Sequence, residues 1–218
     1  MKIGVLAGTP IDTQMGIEYI ISKGHTAVGI PCSKTAQEQN EMQILHKEEL
    51  LEIAVNNCKD MIKQGAEGIF IYCNSLSAAI NIQKLKQSIS VPAITPLDIY
   101  KQCADTFDNI CVLAANGQSL AGIEKVILSE NPDCTVFGAG ILPLVVAIES
   151  NTEPHKIYED FKLKSLTESF EAIGCKAIIL GCTHFPYIET QVKNGANVPV
   201  INPSDSMLEY LVKCSLSQ

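Results

Sequence analysis

Apolar residues along this chain come in two rhythms. Short runs rich in valine, isoleucine and leucine, such as "KIGVL" at 2–6 and "AIIL" at 177–180, are continuous rather than alternating. Continuous runs of that length mark strands buried on both faces of a parallel sheet. Between them lie longer segments whose apolar residues recur every three or four positions, the helical period; Ile17, Ile20 and Ile21 make one such stripe. The pattern predicts strands near 2–7, 26–31, 68–73 and 91–94, then near 109–114, 134–139, 177–182 and 198–201. It predicts helices over 13–23, 35–64 and 76–88, over 118–130, 154–173 and 186–194, and over 204–216. Gly24, Gly65 and Gly174 stand just past predicted helix ends, and Pro154 and Pro186 in predicted first turns. Strands alternating with helices give an α/β class, parallel sheets flanked by helices.

The pattern also repeats. "KIGVLAG" (2–8) resembles "NICVLAA" (109–115), "GAEGIFIYCNS" (65–75) resembles "GCKAIILGCTH" (174–184), and "SVPAITPLD" (90–98) resembles "NVPVINPSD" (197–205), in the same order at a nearly constant offset. The chain therefore reads as two similar α/β domains, 1–97 and 98–205, with 206–218 completing the first. Open parallel sheets take ligands where the C-terminal ends of strands run into loops. Cys73 and Cys182 stand there at equivalent positions of the two copies. If the copies are related by a pseudo-two-fold, the two thiols face each other across an active-site cleft between the domains.

Composition narrows the function. Of 218 residues, 46% are hydrophobic and 18% charged, an ordinary globular balance. The net charge is −8, and all 16 basic residues are lysine, which disfavours nucleic acid and anionic membranes as partners. Without arginine, a carboxylate ligand must be held by backbone N–H groups, hydroxyls, amides and lysine. The apolar stretch in "MKIGVLAGTP" is too short for a signal peptide or a span, so a cytoplasmic location is expected. Nine cysteines contain no CxxC pair and no histidine pair has zinc spacing, so no metal is expected, and most cysteines read as small core residues.

Two opposed thiols suit one reaction class. A stereocentre is inverted without a cofactor by a base on one face and an acid on the other, and a thiolate and a thiol supply both. Helices predicted to start at Ser75 and Pro186 would present positive ends to Cys73 and Cys182, and His184 can exchange a proton with Cys182. Asn74, Ser75 and Thr183 are candidate contacts for substrate carboxylates beside those helix starts. Thr9 and Gln14, read as loop residues after the first strand, are further candidates. Asp12 either assists Cys73 or caps a helix starting at Thr13. Glu149 reads as an exposed charge, and His25, His46 and His155 as surface residues.

The stretches "YCNS" (72–75) and "GCTHFP" (181–186), each closing an apolar strand, resemble the aspartate/glutamate racemase superfamily, whose members work without pyridoxal phosphate. The resemblance implies Cys73 and Cys182 as catalytic bases, His184 as a helper, no cofactor, and a small acidic amino acid as substrate, with a homodimer as a candidate assembly. It also implies a substrate loop after the second half's first strand. Where the family often has Thr-x-Gly-Thr, "AANGQS" places Ala115 and Gln118, and Asn116 is the candidate contact. The first loop, "AGTPIDTQMG", lacks the Asp-Ser-Gly of glutamate racemases and is closer to the glycine-rich loop of aspartate racemases.

Other classes fit less well. A dinucleotide-binding module would need G-x-G-x-x-G after the first strand, and only Gly4, Gly8 and Gly16 are near. A non-catalytic small-molecule binder has no use for two matched thiols. Racemases or isomerases of the same fold acting on other amino acids, hydantoins or maleate are the nearest alternatives.

Overall fold

A computed structural model describes residues 1–216, with the side chains of all but positions 36, 40, 43 and 45. Positions 217 and 218, in the segment expected to complete the first domain, lie outside the described residues. The chain forms two compact units, one of Met1–Asp98 with the C-terminal helix, the other of Ile99–Pro203.

The first unit is built from β1 (Lys2–Ala7), α1 (Pro10–Ser22), β2 (Thr26–Pro31), α2 (Ala36–Leu45), α3 (Lys47–Lys63), β3 (Gly68–Ile71), α4 (Asn74–Ala79), α5 (Ile82–Gln87) and β4 (Ala93–Ile94). Its four strands are parallel in the order β2-β1-β3-β4. The central strands β1 and β3 are buried along nearly their whole length, as their continuous apolar runs require. Leu50, Ala54, Cys58 and Met61, spaced at three and four along α3, pack on one face of the sheet with Leu6, Ile69 and Ile71. On the other face Gly16 of α1 lies against Val5 and Tyr72. There the C-terminal helix α12 (Ser204–Leu216) sets Leu211 on Gly68, where a Cβ would stand 3.2 Å from the leucine. Tyr19, Phe70 and Tyr72 stack on this side, with ring centroids 5.5–6.5 Å apart.

The helix α6 (Pro96–Ala104) leads to the second unit, which repeats the plan with β5 (Asn109–Ala114), α7 (Gly117–Glu130), β6 (Thr135–Gly140), α8 (Leu142–Glu149), α9 (Pro154–Asp160), α10 (Leu163–Ala172), β7 (Ala177–Gly181), a 3-10 turn (Phe185–Ile188), α11 (Glu189–Gly195) and β8 (Val200–Ile201). The parallel order β6-β5-β7-β8 matches that of the first sheet strand for strand. Gly65 and Gly174, at φ +91° and +100°, end the helices before β3 and β7, a conformation that glycine adopts without steric cost. The two α/β sheets flanked by helices are the fold class expected from sequence.

Several helices differ from the periodic reading. The predicted helix over 35–64 breaks at His46, which leaves helical geometry at φ −132° and ψ 45° between α2 and α3. The predicted helix over 154–173 breaks at Lys162, held left-handed at φ 53°, and that over 76–88 at Ile80 and Asn81. Helices α6 and α8 were not anticipated, because proline near their starts and an almost wholly apolar "LPLVVAI" hide the helical period. Ile21 projects outward at 56% exposure, so the apolar stripe of α1 is narrower than Ile17, Ile20 and Ile21 suggested.

All nine cysteines are free, and eight are buried. Burial pushes the Cys58 thiol from 9.0 up to about 12 and Cys103 up to about 11. Unfolded, both would ionise near 9.0, so the unfolded chain releases protons that the native chain keeps. Their contribution to stability is therefore complete below about pH 9 and lost as the pH climbs toward the folded values. The thermal midpoint should fall steadily above about pH 9, and Cys58→Ala should flatten that fall. A midpoint independent of pH in that range would contradict the burial of these thiols.

Candidate active site

In each sheet the chain steps outward from the first strand to the second, then returns to the far side of the first. The crevice therefore opens at the C-terminal ends of β1 and β3 in one unit, and of β5 and β7 in the other. The loops leaving those four ends, and the starts of the helices that follow them, carry nearly every residue singled out from sequence.

In the first unit, Cys73 lies two residues past the end of β3 and is only 3% exposed. It is the N-cap of α4, where its sulfur accepts from the Leu76 backbone N–H at 3.5 Å and lies 3.4 Å from the Ser75 hydroxyl. A sulfur in this place does what a serine or aspartate oxygen does at other helix starts, and a thiolate does it better than a thiol. Asn74 is 3% exposed, with neither the nitrogen nor the oxygen of its carboxamide hydrogen-bonded. An amide buried in that condition is costly unless something else partners it.

The loop after β1 is arranged differently from expectation. α1 begins at Pro10 with Thr9 as its N-cap, so Asp12 is the third helical residue and not the cap. Its carboxylate accepts from the Thr9 N–H at 2.6 Å, the Thr9 hydroxyl at 2.8 Å and the Gly8 N–H at 3.2 Å, the reciprocal half of a capping box. Gln14, read as a loop residue, lies in α1, where it is exposed and donates to Glu18 at 2.8 Å.

One residue near Cys73 was missed altogether. Gln39 of α2, 8% exposed, donates from Nε2 to the Cys73 sulfur at 3.1 Å and lies 3.4 Å from the Ser75 hydroxyl. Nothing in the polar string "AQEQNEMQIL" distinguishes this glutamine from its neighbours.

In the second unit, Cys182 follows β7 and is 6% exposed, with Thr183 and His184 similarly buried. His184 Nδ1 stands 3.6 Å from the Cys182 sulfur, and its Nε2 stands 3.1 Å from Glu149 Oε1. A carboxylate beside Nε2 favours the tautomer with its proton there, and in that tautomer Nδ1 is the acceptor on the side of the thiol. Glu149, at the end of α8, has a side chain only 21% exposed, so the reading of it as an exposed charge is corrected. Because the partners lie 35 residues apart on elements whose contact depends on α8, no local spacing announces the pair. Past Cys182 the backbone forms the 3-10 turn rather than an α-helix, with Phe185 N–H bonded to the Cys182 carbonyl at 3.0 Å. Phe185 and Ile188, three apart, both point into the core, the spacing that a 3-10 turn superimposes. The helix assistance expected at Cys182 is thus replaced by the imidazole. Asn116, half-buried, is the N-cap of α7, accepting from Ser119 N–H at 2.8 Å.

Among the described residues no helix is long and apolar enough to cross a membrane. No protein-family model matches the chain. It is 28% identical over 166 residues to a glutamate racemase of Limosilactobacillus reuteri, a match covering 72% of this chain and 60% of that one. A glutamate racemase of Buchnera aphidicola is also 28% identical, over 152 residues. The chain thus spans about 60% of the length of the curated relatives it matches. Its fold is that of a Francisella tularensis glutamate racemase solved with D-glutamate, at a TM-score of 0.77 and 20% identity over 99% of this chain and 81% of that one. The same fold occurs in an aspartate racemase homologue of Pyrococcus horikoshii, at a TM-score of 0.71 and 16% identity over 100% and 99% of the two chains. The chain is thus similar in sequence to glutamate racemases and shares its fold with glutamate and aspartate racemases.

Proposed function

We propose that this protein is a cofactor-independent racemase that interconverts the L and D forms of an acidic amino acid, glutamate or aspartate, through two cysteine bases. The observation that carries the reading is the equivalence of Cys73 and Cys182. Each follows the third strand of a sheet built in the same order, and each has a neighbouring group suited to its proton chemistry.

In one direction a thiolate takes the α-proton, leaving a planar carbanionic species, and the other cysteine delivers its S–H proton to the opposite face. The first sulfur ends protonated and the second ends as thiolate, so the two exchange states and solvent resets them between turnovers. For Cys182, Nδ1 of His184 accepts the thiol proton, and Glu149 stabilises the resulting imidazolium. The carboxylates of the substrate would be taken up by the idle amide of Asn74, by Ser75, Asn116 and Thr183, and by backbone N–H groups at the strand ends, in a chain without arginine. Thr9 is given no contact, because its N–H and hydroxyl are engaged by Asp12. Gln14 is given no contact, because its amide is engaged by Glu18.

Proton NMR of the reduced protein in D₂O with L-glutamate and, separately, L-aspartate tests the reading. The α-proton signal of the true substrate should vanish while chiral chromatography finds the D-enantiomer. Failure to exchange either amino acid, in folded protein with free thiols, would overturn it.

A further inference from the structure

We infer that Gln39 is a positioning residue for Cys73, its carboxamide holding the sulfur in the orientation and charge state that proton abstraction requires. The purpose of the contact rests on the racemase reading; the contact itself does not.

Three features place Gln39 there. Ser33 N–H and its hydroxyl both donate to the Gly8 carbonyl, at 2.9 and 2.7 Å, and Cys32 N–H donates to Ala7, which ties the segment leaving β2 to the end of β1. Thr35 then caps α2, accepting from Glu38 N–H at 3.1 Å. Met42, on the same helical face as Gln39, is buried in the core cluster that also holds Cys73, which anchors α2 on that core. The glutamine amide occupies the space where a side chain at position 8 would begin, since a Cβ built on Gly8 overlaps its carboxamide. Glycine at the end of β1 is thus a condition of the contact between Gln39 and Cys73.

An N–H donated to sulfur stabilises a thiolate more than a thiol. The thiols and carboxylates described near Cys73 are not groups that favour a thiolate, since each is neutral or negative. Burial, and next the proximity of Cys73 itself, push Cys32 up, and burial pushes Cys58 up to about 12, so both persist as thiols. The Asp12 carboxylate is turned to Gly8 and Thr9, Glu38 accepts from Lys34 N–H, and α4 has no charged residue in its first or last turn. Cys73 is therefore served by a neutral amide and Cys182 by an imidazole with its carboxylate, two supports that respond differently to pH.

The test is peptide-resolved alkylation of the full-length protein by iodoacetamide across a pH series, reading Cys73 and Cys182 separately. In Gln39→Leu the midpoint for Cys73 should rise by about one pH unit. It should rise further in Gln39→Glu, which adds a like charge, while the midpoint for Cys182 stays in place. Gly8→Ala, with Gln39 intact but expelled, should shift Cys73 in the same direction as Gln39→Leu. In turnover, Gln39→Leu should lower kcat more than it raises KM. If Gln39→Leu and Gly8→Ala, both folded by circular dichroism, keep the parent midpoint at Cys73, Gln39 only fills space and the inference falls. The midpoints need no turnover, so a protein that racemises neither amino acid would sink the racemase reading and still report on this contact.

Discussion

Replacing Cys73 or Cys182 by serine is expected to lower racemisation by about a thousandfold or more while leaving the far-ultraviolet circular dichroism unchanged. A serine hydroxyl fits either pocket, but it is too weak an acid to exist as an oxyanion at neutral pH, and the reaction then lacks a base on one face. The loss should be one-sided in a way that a folding defect cannot imitate. With Cys182 alone active, one enantiomer should still exchange its α-proton for deuterium without inverting; with Cys73 alone active, the other should. Chiral chromatography and NMR in D₂O on the same samples measure both quantities. Ordinary turnover in either variant would remove the two-thiol mechanism.

His184→Gln and Glu149→Gln come next in expected effect, each lowering kcat by about a hundredfold. His184→Gln removes the acceptor 3.6 Å from the Cys182 sulfur, and Glu149→Gln removes the charge that favours this tautomer and stabilises the imidazolium. The enantiomers of the free amino acid have equal free energy, so kcat/KM must fall equally in both directions whichever half-reaction is damaged. Lopsidedness should instead appear in the deuterium exchange of the enantiomer whose proton Cys182 takes. The pH dependence of kcat should lose a limb in His184→Gln. Full activity with an unaltered pH profile in Glu149→Gln would reduce the contact between Glu149 and His184 to packing.

Legibility from sequence followed the range of each interaction. The sheets were readable because a strand buried on both faces leaves a continuous apolar run, and "GIFIYC" and "AIILGC" each contain one. The placement of Cys73, Cys182 and His184 just past strand ends was readable because strand ends and internal repetition are both local signals. Helix breaks at His46 and Lys162 were not, since neither position carries glycine or proline. Gln39 and Glu149 were out of reach for a deeper reason. Each touches its cysteine or histidine only after a helix with an unremarkable composition has been laid on the sheet, so the information lies in tertiary contacts rather than in spacing. Asp12 marks the intermediate case, where the capping box was present as Thr-x-x-Asp but the helix was read as starting three residues late.

The C-terminal helix has a consequence for how the molecule comes into being. Although it carries no candidate site residue, α12 lies in the same compact unit as Met1–Asp98, with Leu211 against Gly68, Tyr19 bonded to Asp205 at 2.7 Å and Lys23 paired with the same carboxylate at 2.6 Å. During synthesis the ribosome delivers the second unit as one uninterrupted stretch, ready to collapse once Pro203 has emerged. The unit begun first must wait, with Gly68 and the neighbouring sheet face uncovered, until the segment made after it arrives. Between these two units, order of manufacture and order of completion are thus reversed.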